Sequence, residues 1–152
     1  MRVVIQRVRE AEVTVAGESV GRIGTGLLVL AGLGRDDGES DVAWMARKIV
    51  GLRLFDDPSS STQRSVIEAD GELLAISQFT LLADCGKGRR PSYDRAMAAG
   101  AAAALFARFV DELRARVRSV ASGRFGAHMH VRFVNDGPLT LVVDSPVPGS
   151  SC

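Results

Sequence analysis

The chain has 152 residues, of which 46% are hydrophobic and 24% charged, and its formal net charge is +1. That is one domain's length with enough apolar residues for a core that needs no metal or disulfide staple, and the balance excludes a disordered chain. So small a net charge also excludes a molecule-wide attraction to polyanions, so any nucleic-acid contact must come from a local basic cluster.

Taken in chain order, residues 2–8 read as a strand rich in β-branched side chains. Charges interrupt this opening too early for the apolar stretch of a signal peptide. Residues 12–15 continue extended structure, 16–19 form a hairpin turn and 20–23 the return strand. Residues 27–33 are nearly all apolar, as in a strand buried on both faces, and the run is far too short to span a bilayer. From 40 to 50 the pattern turns helical. Val42, Met45, Ala46, Ile49 and Val50 make one apolar stripe, Asp41 suits the helix start, and Arg47 and Lys48 suit its end. A short strand follows at 52–55, then a polar loop at 59–62.

Residues 65–68 and 72–76 flank Ala69-Asp70-Gly71, which predicts a hairpin through the Asp-Gly pair. After Pro91, Ser92 is placed to cap a long helix whose buried face is Ala96, Ala99, Ala103, Phe106, Val110, Leu113 and Val117. Gly123 and Gly126 bracket its end. Two last strands, 128–134 and 139–144, are joined through Asn135-Asp136-Gly137-Pro138. The expected fold is α/β, a single domain over 1–152 with a mixed, barrel-like sheet and two main helices. Cys85 and Cys152 make a poor disulfide framework, so the expected setting is a reducing cytoplasm, with no membrane segment.

Several familiar chemistries fail on spacing. The glycines at 21, 24 and 26 open onto a strand rather than a helix, so they do not make a dinucleotide loop. Gly86-Lys87 lacks the glycine five residues earlier, and Gly88 stands where a phosphate loop needs Ser or Thr. His128 and His130 share one face of a strand, a spacing that could place two metal ligands together, but no Cys or third His completes a shell, so they read as an exposed or structural pair, with no metal and no cofactor expected. Cys85 has Asp84 and Gly86 beside it and no base to activate its thiol.

Three features remain. Ser77-Gln78-Phe79-Thr80 ends an apolar strand, where amides and hydroxyls can face a developing oxyanion, or where the hydroxyls simply bond turn backbone. Lys87-Gly88-Arg89-Arg90 sets three cations in four residues on the following loop, as a phosphate clamp or a solvated turn. Gly137-Pro138 is a tight turn or a rigid backbone wedge.

Together with the opening segment 1–8 and the stretch 48–55, these motifs in this order resemble the D-aminoacyl-tRNA deacylase family over nearly the whole chain. The resemblance implies hydrolysis of the ester between a D-amino acid, or glycine mischarged on tRNA for alanine, and the terminal adenosine of tRNA. It implies chiral proofreading that spares L-aminoacyl-tRNA, and a homodimer with active sites at the subunit interface. Ser77, Gln78, Phe79 and Thr80 would line the catalytic pocket. Gly137 and Pro138 would form a Gly-cis-Pro element inserted from the other subunit, holding the substrate's α-amino group and excluding an L side chain. Lys87, Arg89 and Arg90 would dock the tRNA. In the family picture the ribose 2′-hydroxyl assists hydrolysis. Thr80 as a covalent nucleophile would need an adjacent base, which the sequence does not place, so positioning and electrostatics are the expected role.

Overall fold

The computed structural model describes residues 1–57, 59 and 63–146. The strand expected at 2–8 and the extended stretch at 12–15 are one continuous element, β1 (Arg2–Val15), which runs through a left-handed Ala16-Gly17 turn into β2 (Glu18–Ile23). Next come β3 (Gly26–Gly32), α1 (Glu39–Gly51), β4 (Arg53–Asp56), β5 (Gln63–Ser65) and β6 (Glu72–Ser77). A 3₁₀ turn at Phe79–Leu82, α2 (Ala99–Arg114), β7 (Val120–Ser122) and β8 (His130–Asp144) complete the order.

The main sheet runs β2-β1-β3-β6-β7, with β8 added along β1. The β3–β6 and β6–β7 pairs are parallel, whereas β1 meets β2, β3 and β8 antiparallel. The sheet curls toward closure. A Cβ on Gly21 of β2 would sit 3.1 Å from the Ser122 carbonyl of β7 and 3.3 Å from Leu74 of β6.

This curl explains the unbroken apolar run in β3. Leu27, Val29 and Ala31 pack outward against both helices, while Leu28 points into the barrel with Val8, Val13, Leu74 and Ile76. The helices bury Met45, Ile49, Phe106, Phe109 and Leu113 on the outer face of the sheet. Glu72 ties the rim together. It accepts from the Gly24 amide at 2.5 Å and the Ser119 hydroxyl at 2.7 Å, and these bonds, the amide foremost, hold its carboxyl below the usual glutamate range.

Three expectations are corrected. The Asp70-Gly71 hairpin does not form: β5 pairs with β4 in a separate two-stranded sheet, and β6 is flanked by β3 and β7. Residues 66–71 are instead a turn closed by Gly71 N–H on the Val66 carbonyl at 2.8 Å, with Asp70 left-handed. The long helix begins at Ala99 rather than after Ser92. The preceding residues are claimed by tertiary backbone bonds, Ser92 to Asp84 and Met97 to Leu33, which outweigh local helix propensity. Its buried face is accordingly Ala102, Phe106, Phe109, Val110 and Leu113, and Ala99 is exposed. Finally, the two C-terminal strands are one, β8, because both halves pair with β1. Between Val8↔Asn135 and Gln6↔Thr140 the register shifts, so residues 136–139 bulge from the ladder.

Candidate active site

Strand β6 ends at Ser77. The Gln78 amide bonds the Ala31 carbonyl at 2.7 Å, and the chain then tightens into the 3₁₀ turn. The first bond of that turn runs from Leu81 N–H to the Gln78 carbonyl at 3.2 Å, so the amides of Phe79 and Thr80 precede it and are not used by the turn. The Gln78 side-chain amide donates to the Thr80 hydroxyl at 2.5 Å, so the two side chains hold one another.

What lets this turn sit so close to the sheet is Gly32. A Cβ there would lie 2.4 Å from a Leu82 methyl, 3.0 Å from the Gln78 carbonyl oxygen and 3.1 Å from the Leu81 Cβ. Sequence reading did not single out Gly32. Its signal is a glycine at the end of an otherwise fully apolar strand, where a close backbone approach is the usual reason.

The turn opens onto a cavity of about 450 Å³ between the sheet end, the start of α2 and residues 125–131. Its polar side carries Ser77, Gln78 and His128, and its apolar side includes Leu33, Phe125 and Met129. Of the expected site residues, Ser77, Gln78 and Phe79 therefore share one wall, with Thr80 tied to Gln78. Among the described residues His128 is the one titratable side chain on that lining, and it stands edge-on to His130, ring centroids 5.1 Å apart. Among the described residues no three His, Cys, Asp or Glu side chains gather as a metal shell.

The cationic loop lies beyond the turn. Antiparallel bonds between Asp84 and Ser92, 2.8 and 2.9 Å, close its base. Lys87, Arg89 and Arg90 are all exposed, and none forms an ion pair among the described residues.

Gly137 and Pro138 are not on the cavity lining; they occupy the β8 bulge, and their peptide bond is cis. The bulge is tethered. Arg7 donates from Nε to the Asp136 carbonyl at 3.3 Å and from Nη1 to the Leu54 carbonyl at 2.5 Å, and Arg9 pairs with the Asp136 carboxylate at 3.0 Å. Gly137 has φ +127°, a conformation that side chains disfavour. Within the chain, the segment 77–80 at the cavity and the bulge at 137–138 are thus separate features.

A family model described as D-Tyr-tRNA(Tyr) deacylase matches residues 4–144. The D-aminoacyl-tRNA deacylase of Dechloromonas aromatica (strain RCB) is 56% identical over 149 residues, 97% of this chain and 99% of the relative. That of Thermosipho africanus (strain TCF52B) is 50% identical over 145 residues, covering 95% and 97%. Among solved structures, one titled "c-Myc DNA Unwinding Element Binding Protein" superposes with a TM-score of 0.90 at 39% identity, covering 97% of this chain and 100% of that chain. Another, titled as a probable eukaryotic D-amino acid tRNA deacylase, gives 0.81 at 21% identity over 93% and 97%, a likeness of fold. With the family model spanning nearly the whole chain and relatives at half identity or more, the chain belongs to the D-aminoacyl-tRNA deacylase family, hydrolases acting on the ester bond of aminoacyl-tRNA.

Proposed function

We propose that this deacylase is a chiral proofreader: it removes D-amino acids, and glycine mischarged on tRNA for alanine, from tRNA in the cytoplasm and spares L-aminoacyl-tRNA. The observation that carries the reading is the turn at Phe79–Leu82, whose leading amides and Gln78–Thr80 pair sit beside the mouth of a largely apolar cavity. The amides of Phe79 and Thr80 supply the oxyanion contacts, a role preorganised backbone fills well. The cavity takes the adenine of the terminal nucleotide, against Phe125 and Met129. Exposed Lys87, Arg89 and Arg90 hold the phosphates behind it.

Handedness requires a contact that only an L side chain meets. A backbone wedge fixed by Arg7 and Arg9 suits this better than a rotatable side chain. Since Gly137 and Pro138 lie off the cavity of their own copy, they serve the cavity of a second copy in a homodimer. Strand β8 offers surface for that pairing: among the described residues it bonds β1 on one side only, and Phe133, Val134 and Val142 are exposed along it.

Two sources of the base compete. The substrate's own 2′-hydroxyl is the one we favour; His128 on the cavity lining is the other. Amino-acid release from D- and L-tyrosyl-tRNA tests the selectivity, with equal rates refuting it. Repeating the assay with a terminal 2′-deoxyadenosine and with His128→Gln separates the bases. Loss with the deoxy substrate and retention in the variant are expected; the reverse pattern makes His128 the base.

A further inference from the structure

Phe79 has two neighbourhoods. One side of it helps line the cavity, and the other meets Tyr93 edge-on, ring centroids 5.0 Å apart at 66°. Both rings are among the most exposed large apolar side chains of the described residues, Phe79 at 54% and Tyr93 at 40%. Exposed aromatics scattered singly need no explanation, but a contacting pair does.

Tyr93 is exposed on backbone that is tied at every side. Ser92 bonds Asp84 through both amide and carbonyl, and the Ser92 hydroxyl donates to Asp94 at 2.7 Å. The Ala96 amide bonds the Tyr93 carbonyl at 2.9 Å, Arg35 N–H bonds the Arg95 carbonyl at 2.9 Å, and the Arg35 guanidinium reaches the Asp94 carbonyl. A ring held out on a rigid segment loses little freedom when something lies against it. The same Asp84–Ser92 bonds close the loop that presents Lys87, Arg89 and Arg90. The aromatic pair thus meets the cavity at Phe79 and adjoins, at Tyr93, the loop that carries three exposed cations with no ion pair among the described residues.

Aromatic faces beside cations are how proteins hold single-stranded nucleic acid, because every base has a face to stack and every nucleotide a phosphate to neutralise. Resting on the reading that the terminal nucleotide enters the cavity, we propose that Phe79 and Tyr93 form a stacking platform for the unpaired nucleotides that precede it in the tRNA 3′ strand. Stacking tolerates any base, so the platform serves many tRNAs. Its rings act on the capture of tRNA, leaving the bond-breaking step to the backbone amides of the turn and the Gln78–Thr80 pair.

The test compares two substrates, D-tyrosyl-tRNA and the D-tyrosyl ester of adenosine alone, which has no preceding nucleotide. Tyr93→Ala should raise KM for the tRNA by roughly tenfold with kcat little changed, since loss of a stacked base weakens binding by about five- to a hundred-and-fifty-fold. Tyr93→Phe should behave as wild type, and neither variant should differ on the adenosine ester. An equal loss on both substrates makes Tyr93 a mere prop for Phe79 and overturns the proposal. So does an unchanged KM for tRNA, or conversion of Tyr93→Ala to a different oligomeric state, which would put the ring in a subunit contact. Failure of the underlying reading shows separately, in the wild-type enzyme, as no hydrolysis or no preference for the D ester.

Discussion

Gly32→Ala probes the link between packing and chemistry. The added Cβ meets one yielding neighbour, the Leu82 methyl, and two less yielding ones, the Gln78 carbonyl oxygen at 3.0 Å and the Leu81 Cβ at 3.1 Å. Ordinary contact needs roughly 3.5 Å, so the turn carrying Thr80 must retreat by about 0.5 Å. Overpacking of this kind destabilises by about 1–3 kcal/mol. For a chain of this length that lowers Tm by roughly 3–10 °C. Since a 1 Å misplacement costs a reaction about a hundredfold, half of that should lower kcat/KM for D-tyrosyl-tRNA about tenfold. Thermal melts and steady-state deacylation read both numbers. Gly51→Ala is the control, because a Cβ there meets nothing within 4 Å among the described residues. It should keep full activity and gain up to about 1 kcal/mol. Full activity in a Gly32→Ala protein that has lost stability would refute the idea that the turn's position sets the rate.

Three further outcomes follow from the site and its frame. Thr80→Ala removes the hydroxyl that Gln78 holds and should lower kcat by about ten- to a thousandfold, whereas an acyl-enzyme trapped on Thr80 would make it a nucleophile. Replacing Lys87, Arg89 and Arg90 together by alanine should weaken tRNA binding and reduce its log–log salt slope by about one unit per lost phosphate contact, measured by titration across salt. The carboxyl of Glu72 is more acidic folded than unfolded, so its contribution to stability is fully present above the unfolded value near pH 4.3 and is lost as pH falls through the lower folded value. Denaturation midpoints for wild type and Glu72→Gln should therefore differ at neutral pH and converge in acid.

The legible parts of this chain were those fixed by local pattern. Alternation and β-branching marked β1 and β2, the unbroken apolar run marked β3 as buried on both faces, and the stripe from Val42 to Val50 marked α1. Long-range pairing decided the rest. Asp70-Gly71 carries a hairpin signal, yet β6 takes two parallel partners that no local signal names. The alanines after Ser92 favour helix, yet residues 92–97 bond back to Leu33 and Asp84. At the site, Ser77–Thr80 and the cations were visible as composition at a strand end. Gly32, Arg7, Phe125 and Tyr93 were not, because each matters through a neighbour distant in sequence: Leu82, Asp136, the cavity and Phe79.

The central claim is that one copy's turn works against another copy's wedge, and mixed dimers test it most directly. Gly137→Ala forces a side chain into φ +127° with its Cβ 2.9 Å from the Leu139 amide nitrogen, which should displace the wedge and silence the enzyme. Thr80→Ala impairs the turn on the other side of the site. Co-expressed under separate tags, the two variants should pair at random, and each mixed pair should contain one intact site, restoring about a quarter of wild-type D-tyrosyl-tRNA hydrolysis in the total pool. Purified mixed pairs no more active than the average of the two parent variants would show that turn and wedge do not meet across an interface, and would contradict the account.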